Sequence, residues 1–307
     1  MALKIIFMGT PNFAVPILKS VYDSKHKILE VYTKPPTKKN RGLKIQNSSI
    51  HDFTNKLNIP VRHPISLKDD IEIEHIKKLN PNIVIVVAYG KILPEALLKL
   101  DKILFINIHA SLLPKWRGAA PIQRAIMNKD HESGISIMKI VPKLDSGPVL
   151  LQSKIKIFQK TTYNELAEKM SKLGGKLILD ALKLIEDKKA IFVDQNESEA
   201  SYAKKIEKSE CKINWNKNAG DVIAKINALN SNLGSWFELN GTRVKIIEAK
   251  EIKNQKGKPG TLMDKNFTIA CSTNAVQILK LKKEGKQQMR AEEFLRGNKI
   301  KIGHIFN

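Results

Sequence analysis

Cysteine and long apolar runs are scarce in this chain. Its two cysteines, Cys211 and Cys271, lie far apart and match no disulfide or metal-ligand spacing, and its seven histidines form no ligand cluster. We therefore expect a reducing compartment and no bound metal. No apolar run approaches the roughly 20 residues that a bilayer requires, and Met1 to Lys4 leads straight into a short strand with no secretory signal pattern. These absences predict a cytoplasmic protein without a membrane contact.

Two common nucleotide-binding motifs are also absent. The turn that follows the first strand, Gly9 to Phe13, does not read Gly-x-Gly-x-x-Gly, and Gly-x-x-x-x-Gly-Lys-(Ser/Thr) occurs nowhere in the chain. Both motifs use closely spaced glycines so that backbone amides can approach phosphate groups. Their absence argues against a dinucleotide site and against a P-loop nucleotide site.

Acidic residues are outnumbered by basic ones. The chain has 53 lysines and arginines against 30 aspartates and glutamates, which gives a formal net charge of +23 at pH 7. A positive field of this size attracts phosphate backbones, and the release of counterions strengthens such binding. However, only seven of the basic residues are arginine, and asparagine and isoleucine are abundant, a bias that nucleotide composition alone can produce. The charge therefore supports two explanations, a polyanionic partner or a compositional bias.

The chain is long enough for two domains, because its 307 residues exceed the usual domain size of roughly 100–150. A strand, a glycine turn and a helix open the chain, and residues 83–88 form the fully apolar strand that a parallel sheet buries on both faces. Charged residues replace this pattern near residue 190, and short strands with glycine turns follow. We predict a doubly wound, mostly parallel α/β domain over residues 1–189, a linker over 190–210 and a small β-barrel over 211–307.

Three polar residues stand out as candidates for chemistry. Asn107 and His109 end the strand-like run that begins at Ile103, and the period of two in a strand places them on one face. At the carboxyl end of a parallel strand, an amide and an imidazole could meet one ligand atom. Asp145 precedes Ser-Gly-Pro after another strand-like run. Taken singly, the strand could simply end in polar residues, and Asp145 could be a turn residue that bonds its own backbone.

Longer motifs surround these residues. The run NIHASLLPKWRGAAPIQRAI starts at Asn107, Leu-Asp-Ser-Gly occupies residues 144–147, and Met-Gly-Thr-Pro-Asn-Phe-Ala occupies residues 8–14. Together they resemble the folate-dependent formyltransferases, and within that family the branch that formylates methionyl initiator tRNA. The resemblance implies that Asn107, His109 and Asp145 are catalytic. It also implies a Rossmann-like formyltransferase domain followed by a barrel resembling an OB-fold.

The resemblance further implies two substrates, 10-formyltetrahydrofolate as formyl donor and methionyl initiator tRNA as acceptor, with no metal and a monomeric chain. The residues implied in folate binding are Ser111, Leu112, Leu113 and Pro114, together with Ala88, Tyr89, Gly90 and Ile92 in a loop that would hold the pterin ring. The residues implied in tRNA binding are Lys38, Lys39, Arg41 and Lys44. Composition alone would make residues 34–49 a solvated loop.

The expected chemistry is attack of an α-amine on the formyl carbon. Asn107 and His109 could donate hydrogen bonds to the developing oxyanion, and Asp145 could orient His109 or relay the proton of the amine. Which group acts as the base stays open at this stage. Two other functions also stay open: an N-formyltransferase for amino-sugar nucleotides, and an RNA- or folate-binding protein without catalysis.

Overall fold

A computed structural model of the chain describes residues 2–39, 44–231 and 233–306. The chain forms two compact units, and each of them draws on separate stretches of sequence. Unit 1 comprises Met1–Gly118, Ser133–Ile155 and Ala167–Tyr202, and unit 2 comprises Ala119–Glu132, Lys156–Leu166 and Ala203–Asn307.

Strands and helices alternate through the first half of the chain, and strands dominate its last third. The strands are β1 Lys4–Gly9, β2 Lys27–Tyr32, β3 Thr37–Lys39, β4 Lys44–Gln46, β5 Val61–Arg62, β6 Ile83–Val87, β7 Leu104–His109, β8 Arg117–Gly118, β9 Glu132–Lys139, β10 Val149–Lys156, β11 Tyr202–Ala203, β12 Ser235–Leu239, β13 Thr242–Ile252, β14 Thr268–Ala270, β15 Ala275–Lys283 and β16 Met289–Arg290. The α-helices are α1 Val15–Tyr22, α2 Ser49–Lys56, α3 Asp70–Leu79, α4 Glu95–Leu98, α5 Pro121–Met127, α6 Tyr163–Glu186, α7 Ala219–Ala228 and α8 Ala291–Gly297. Short 3-10 helices occupy Asn12–Ala14, Glu197–Glu199 and Ser209–Cys211.

The main sheet has the strand order β10-β9-β7-β6-β1-β2-β5. Parallel pairing joins β1 to β2 and β6, β2 to β5, and β6 to β7, whereas β9 runs antiparallel to β7. The predicted mostly parallel sheet is therefore confirmed. Because the parallel strands point the same way, the carboxyl ends of β6 and β7 lie next to each other at one edge of the sheet.

Helix α6 covers one face of this sheet, and glycine lets it approach. A Cβ atom on Gly174 would lie 3.0 Å from Ile17 Cδ1 of α1 and 3.5 Å from Ile108 Cγ2 of β7. The side chain of Ile108 therefore points toward α6. Because side chains alternate along a strand, Asn107 and His109 point to the opposite face.

The sheet of unit 2 is antiparallel, with the order β12-β13-β15-β14 and with β16 paired to β15. The turn between β12 and β13 is Asn240-Gly241, and both residues have positive φ, 49° and 72°, as a two-residue hairpin turn requires. The core of unit 2 combines aliphatic side chains with several phenylalanines, and the rings of Phe237 and Phe306 meet edge to face at 5.0 Å. An antiparallel sheet of short strands agrees with the fold class predicted for the carboxyl-terminal part.

The observed elements differ from the expected ones in several short segments. Helices α2 and α8 and strand β12 have no counterpart among the elements predicted from the sequence, and composition predicts a loop over residues 34–49. In the structure β3 and β4 form an antiparallel hairpin in that stretch, and Ser48 caps the amino terminus of α2. The domain boundaries at residues 189 and 210 stay predictions.

Both cysteines are buried free thiols. Burial raises the pKa of the Cys211 thiol, and burial followed by the negative charge of Glu251 raises the pKa of the Cys271 thiol to about 12. Both groups are therefore protonated at neutral pH. None of the helices in the described ranges has the length and apolar character needed to cross a bilayer.

We expect Ser48→Ala to lower the free energy of unfolding by about 1–2 kcal/mol, because it removes a helix cap and a buried hydroxyl partner. Ser48 Oγ accepts a hydrogen bond from the His51 amide at 3.0 Å and lies 2.6 Å from the hydroxyl of Thr33. Urea unfolding would measure the loss. The matched control is Ser49→Ala, because Ser49 is exposed, and equal stability of the two variants would contradict this account of the cap.

Candidate active site

The three candidate catalytic residues meet at the carboxyl end of β7. Asp145, from the loop between β9 and β10, places its carboxylate between the side chains of Asn107 and His109. Asn107 Nδ2 lies 3.5 Å from Asp145 Oδ1, and His109 Nδ1 lies 3.7 Å from Asp145 Oδ2. Both distances are longer than a strong hydrogen bond, so the three groups are neighbours that are not locked to one another.

The turn that carries Asp145 is held in an uncommon conformation. Asp145 has φ 45°, in the left-handed region that most residues other than glycine avoid. Its carboxylate Oδ2 accepts a hydrogen bond of 2.8 Å from the backbone amide of Gly118. The carboxylate therefore bonds another loop, which is unlike the self-bonded turn residue that the isolated sequence pattern also allowed. Strained backbone of this kind occurs preferentially at functional sites.

The orientation of His109 follows from its second ring nitrogen. His109 Nε2 lies 2.9 Å from the carbonyl oxygen of Trp116, and a carbonyl can only accept, so Nε2 carries a proton. In the neutral ring Nδ1 is therefore unprotonated, and it faces Asp145. The imidazole is buried, with 6% of its surface exposed. A proton that arrives at Nδ1 would lie beside the carboxylate of Asp145.

A second group of polar residues lies behind the turn. Gln195 Nε2 donates to the carbonyls of Asp145 and Gly147 at 2.9 and 2.7 Å, and Gln195 Oε1 accepts from Arg117 Nε and Nη2 at 3.1 and 2.9 Å. Arg117 is fully buried and also binds both carboxylate oxygens of Glu197, at 3.1 and 2.9 Å. Hydrogen bonds from Arg117, then from Lys143, lower the pKa of Glu197 to about 2. This carboxylate is therefore ionised throughout the neutral range.

The loop expected to contact folate, Ser111 to Pro114, is held by Ser136 of β9. The Ser136 hydroxyl donates to the Ser111 carbonyl at 2.6 Å and accepts from the Leu113 amide at 3.0 Å. Gln152 of β10 donates to Ser136 Oγ and to the Leu113 carbonyl, at 2.9 and 2.8 Å. Ser136 pairs with His109 in the register of β7 and β9, so this loop begins directly beside the imidazole.

The second expected folate loop follows β6 at the same edge of the sheet. Ala88, Gly90 and Ile92 are exposed, with Ile92 87% exposed, whereas Tyr89 is buried. Gly90 has φ 73°, and the Thr10 hydroxyl fixes the Tyr89 carbonyl at 2.8 Å. The backbone of this loop and the side chains of Ala88 and Ile92 are therefore exposed to solvent, next to the strand that carries Asn107.

The expected tRNA-binding residues lie in and around the β3–β4 hairpin. Lys38, Lys39 and Lys44 belong to these two strands, in which Lys39 pairs with Lys44. Arg41 lies outside the described residues. Throughout the described ranges, no group of three or more His, Cys, Asp and Glu residues is arranged to hold a metal ion.

The site residues predicted from the sequence do not include Arg117, Gln195, Glu197 or Ser136. Gln195 and Glu197 lie in the polar stretch that was predicted to be a linker, where no periodicity marks a buried contact. Arg117 gave one weak signal, since it stands in the same motif as the catalytic candidates. A hydrogen bond between residues 78 apart, such as that between Arg117 and Gln195, has no local sequence signature.

The sequence matches two family models. One is described as Formyl transferase and matches residues 3–182, and the other is described as Formyl transferase, C-terminal domain, and matches residues 205–299. The chain belongs to the formyl transferase family. The resemblance drawn from the motifs is thus confirmed, and formyl transferase membership makes this chain an enzyme.

Two curated relatives are similar to this formyl transferase along almost their whole length. The methionyl-tRNA formyltransferase of Pelagibacter ubique is 46% identical over 302 residues, which cover 98% of this chain and 97% of the relative. The methionyl-tRNA formyltransferase of Paramagnetospirillum magneticum is 40% identical over 304 residues, which cover 99% of each chain.

A solved structure supports the fold of the formyl transferase. The N-formyltransferase from Helicobacter canadensis, crystallised with folinic acid and dTDP-3-aminofucose, superposes with a TM-score of 0.69 at 23% identity. The match covers 91% of this chain and 99% of that chain. At this identity the likeness speaks for the architecture alone.

We expect Ser136→Ala to lower the free energy of unfolding by about 1–3 kcal/mol, because the buried Leu113 amide loses its acceptor. The matched control is Ser133→Ala on the same strand. Ser133 is also buried, but its hydroxyl has no partner among the described residues, so its removal should cost little. Chemical unfolding of both variants would measure the difference, and equal losses would show that the Ser136 hydroxyl does not stabilise the loop.

Proposed function

We propose that this chain transfers the formyl group of 10-formyltetrahydrofolate to the α-amino group of methionyl initiator tRNA in the cytoplasm. The observation that carries the proposal is the convergence of Asn107, His109 and Asp145 at the carboxyl end of β7. The name carried by both curated relatives, methionyl-tRNA formyltransferase, supports methionyl-tRNA as the acceptor. An amide donor, an unprotonated imidazole nitrogen and an adjacent carboxylate are the groups that transfer of a formyl group between two amines requires.

The nucleophile needs little activation. A free α-amine has a pKa of about 7.7–8.0, and the neighbouring ester lowers it, so much of the amine is neutral at working pH. The folate donor supplies the formyl carbon and an amine leaving group. When the amine attacks, negative charge develops on the formyl oxygen. Asn107 is half-buried, and the amide hydrogen that does not face Asp145 has no partner in the described part of the chain, so it can donate to that oxygen.

Proton transfer falls to His109 and Asp145. The attacking amine must lose a proton and the departing amine must gain one. His109 Nδ1 is the unprotonated nitrogen of the neutral ring and can accept the first proton, while the carboxylate of Asp145 at 3.7 Å stabilises the resulting imidazolium. The same proton can then be returned to the leaving group. The histidine thus ends each cycle in its starting state.

The two exposed loops fit a folate donor. We assign the pterin ring to Ala88, Tyr89, Gly90 and Ile92, because their loop presents open backbone donors and acceptors beside β7. We assign the part of the donor nearest the formyl group to the loop from Ser111 to Pro114, since the register of Ser136 with His109 puts this loop next to the imidazole.

For the acceptor, we assign the tRNA end to the basic hairpin. The residues in this assignment are Lys38, Lys39, Arg41 and Lys44. Residues 211–307 would hold the tRNA through phosphate contacts, which position the substrate without reading its sequence. Residues 1–189 would then form the catalytic domain and residues 190–210 the connection, in a chain that acts as a monomer.

An amino-sugar nucleotide is the second candidate acceptor. The Helicobacter canadensis structure contains such a ligand. The net charge of +23 favours a polyanion over a small sugar diphosphate. Assays with methionyl-tRNA and with dTDP-amino sugars, run side by side with one folate donor, would separate the two.

Asn107→Ala should slow transfer by about 10²–10³, because loss of one oxyanion donor typically costs about 2.7–4 kcal/mol. Asp145→Asn should also abolish most transfer, because a neutral amide cannot stabilise the imidazolium of His109. Circular dichroism would confirm the fold of both variants. The control is Asp101→Asn, an exposed carboxylate away from the site. Activity of either variant within about threefold of the parent would contradict the assigned roles.

The affinity for tRNA should fall steeply with added salt, because each neutralised phosphate contributes about −0.7 to −0.9 to the slope of log K against log[salt]. Replacing Lys38, Lys39 and Lys44 together by alanine should reduce the magnitude of this slope by about two to three. Fluorescence anisotropy with labelled tRNA would measure both.

The matched control for the salt experiment is a triple alanine variant of exposed lysines on α6. These lysines are Lys169, Lys172 and Lys176. This variant should keep the parental slope. An affinity that does not depend on salt would mean that the lysine excess of the chain is compositional.

A further inference from the structure

We propose that Gln195 is a positioning residue for formyl transfer, which holds the turn of Asp145 so that the carboxylate faces His109. The inference rests on the proposed function and extends it to a residue that lies outside every motif of the sequence. It is carried by the hydrogen bonds that join Gln195 to both sides of the turn.

The backbone of the Asp145 turn is strained. A residue other than glycine in the left-handed region is strained and persists only when its surroundings enforce that conformation. Asp145 adopts this conformation, with φ 45°. Gln195 donates its two amide hydrogens to the carbonyls of Asp145 and Gly147, which are the two backbone acceptors on either side of Ser146. These bonds fix the path of the turn on both sides of its tip.

The neighbours of the Gln195 amide fix its orientation. Arg117 can only donate hydrogen bonds, so the atom of Gln195 that faces its guanidinium must be the oxygen. The nitrogen then faces the turn and meets two carbonyls, at 2.9 and 2.7 Å. The guanidinium of Arg117 and the two carbonyls thus require the same orientation of the Gln195 amide. A carboxylate or an alkyl group at this position could not satisfy the turn and the arginine together.

Arg117 is in turn held by a carboxylate. Glu197 binds Arg117 through both carboxylate oxygens, and Lys143 from the Asp145 loop binds Glu197 at 2.8 Å. The pKa of Glu197 is depressed, so the ion pair is complete above the ordinary glutamate pKa and is lost only as the pH falls through about 2. The ion pair of Glu197 and Arg117 therefore does not titrate in the pH range where formyl transfer would be measured.

The position of the Asp145 carboxylate depends on the backbone of its turn. Among the described residues, the carboxylate makes one strong contact, to the Gly118 amide at 2.8 Å, and longer ones to Asn107 and His109. Its distance from His109 Nδ1 is therefore set by the backbone on which it stands. A displacement of about 1 Å at such a site can cost about 10²-fold in rate.

The test measures single-turnover formylation of methionyl-tRNA by the full chain with excess enzyme and folate donor. Gln195→Ala removes every contact of the amide. Gln195→Glu keeps an acceptor for Arg117 but loses both donors to the turn, so it isolates the bonds that matter. We expect the rate constant of both variants to fall about 10- to 100-fold, with a parental circular dichroism spectrum and with steady-state KM values for each substrate within about threefold of the parent.

The matched control is Asn196→Ala. Asn196 is exposed, and among the described residues its side chain bonds Ser198 and Glu199 of its own segment. This variant should keep the parental rate constant. Because Glu197 stays ionised, the loss in the Gln195 variants should be the same at pH 6 and pH 8.

The outcomes separate a positioning role from a merely structural one. A reduced circular dichroism signal with an unchanged rate constant would mean that Gln195 only keeps the chain folded, and it would overturn the proposal. If Gln195→Ala does not fold, Gln195→Glu decides, and a parental rate constant in that variant would also overturn it. A parent chain that transfers no formyl group would instead refute the proposed function.

Discussion

A carboxylate on a turn has to stay within reach of two side chains on a strand, and the site depends on that one constraint. Asp145 lies 38 residues after Asn107, so nothing local holds them together. The amide of Gly118 anchors the carboxylate from one side, and the amide of Gln195 anchors the backbone from the other. The contacts to Asn107 and His109 are longer than either anchor, which leaves both side chains free to bond a substrate.

The antiparallel strand in the main sheet links the two halves of the site. In the register of β7 and β9, His109 stands opposite Ser136. The serine hydroxyl meets the loop from Ser111 to Leu113 through an acceptor and a donor bond. One pair of neighbouring residues therefore places the loop assigned to the formyl donor next to the imidazole of His109.

Much of the architecture followed from periodicity. Apolar runs indicated the parallel strands, and the period of two placed Asn107 and His109 on one face, as the structure has them. A catalytic role for Asp145 is expected only from the family resemblance, because its isolated pattern also fits an ordinary turn. The positive φ of Asp145 has only a weak sequence signal, since aspartate is enriched in that conformation without requiring it, and the positive φ of Trp116 has none. Helix α2 is not predicted because its few apolar residues follow a stretch that is rich in lysine and proline. Gln195 is not predicted because polar residues that bond distant backbone show no periodic pattern in the sequence.

The two thiols of the chain bear on how it can be studied. Cys211 and Cys271 are buried and stay protonated at neutral pH, and a protonated thiol is a poor nucleophile. We therefore expect neither natural cysteine to react with maleimide dyes in the folded chain. A single cysteine engineered at an exposed position such as Ile92, which points away from the core of its loop, would carry a fluorophore without any need to remove the natural thiols.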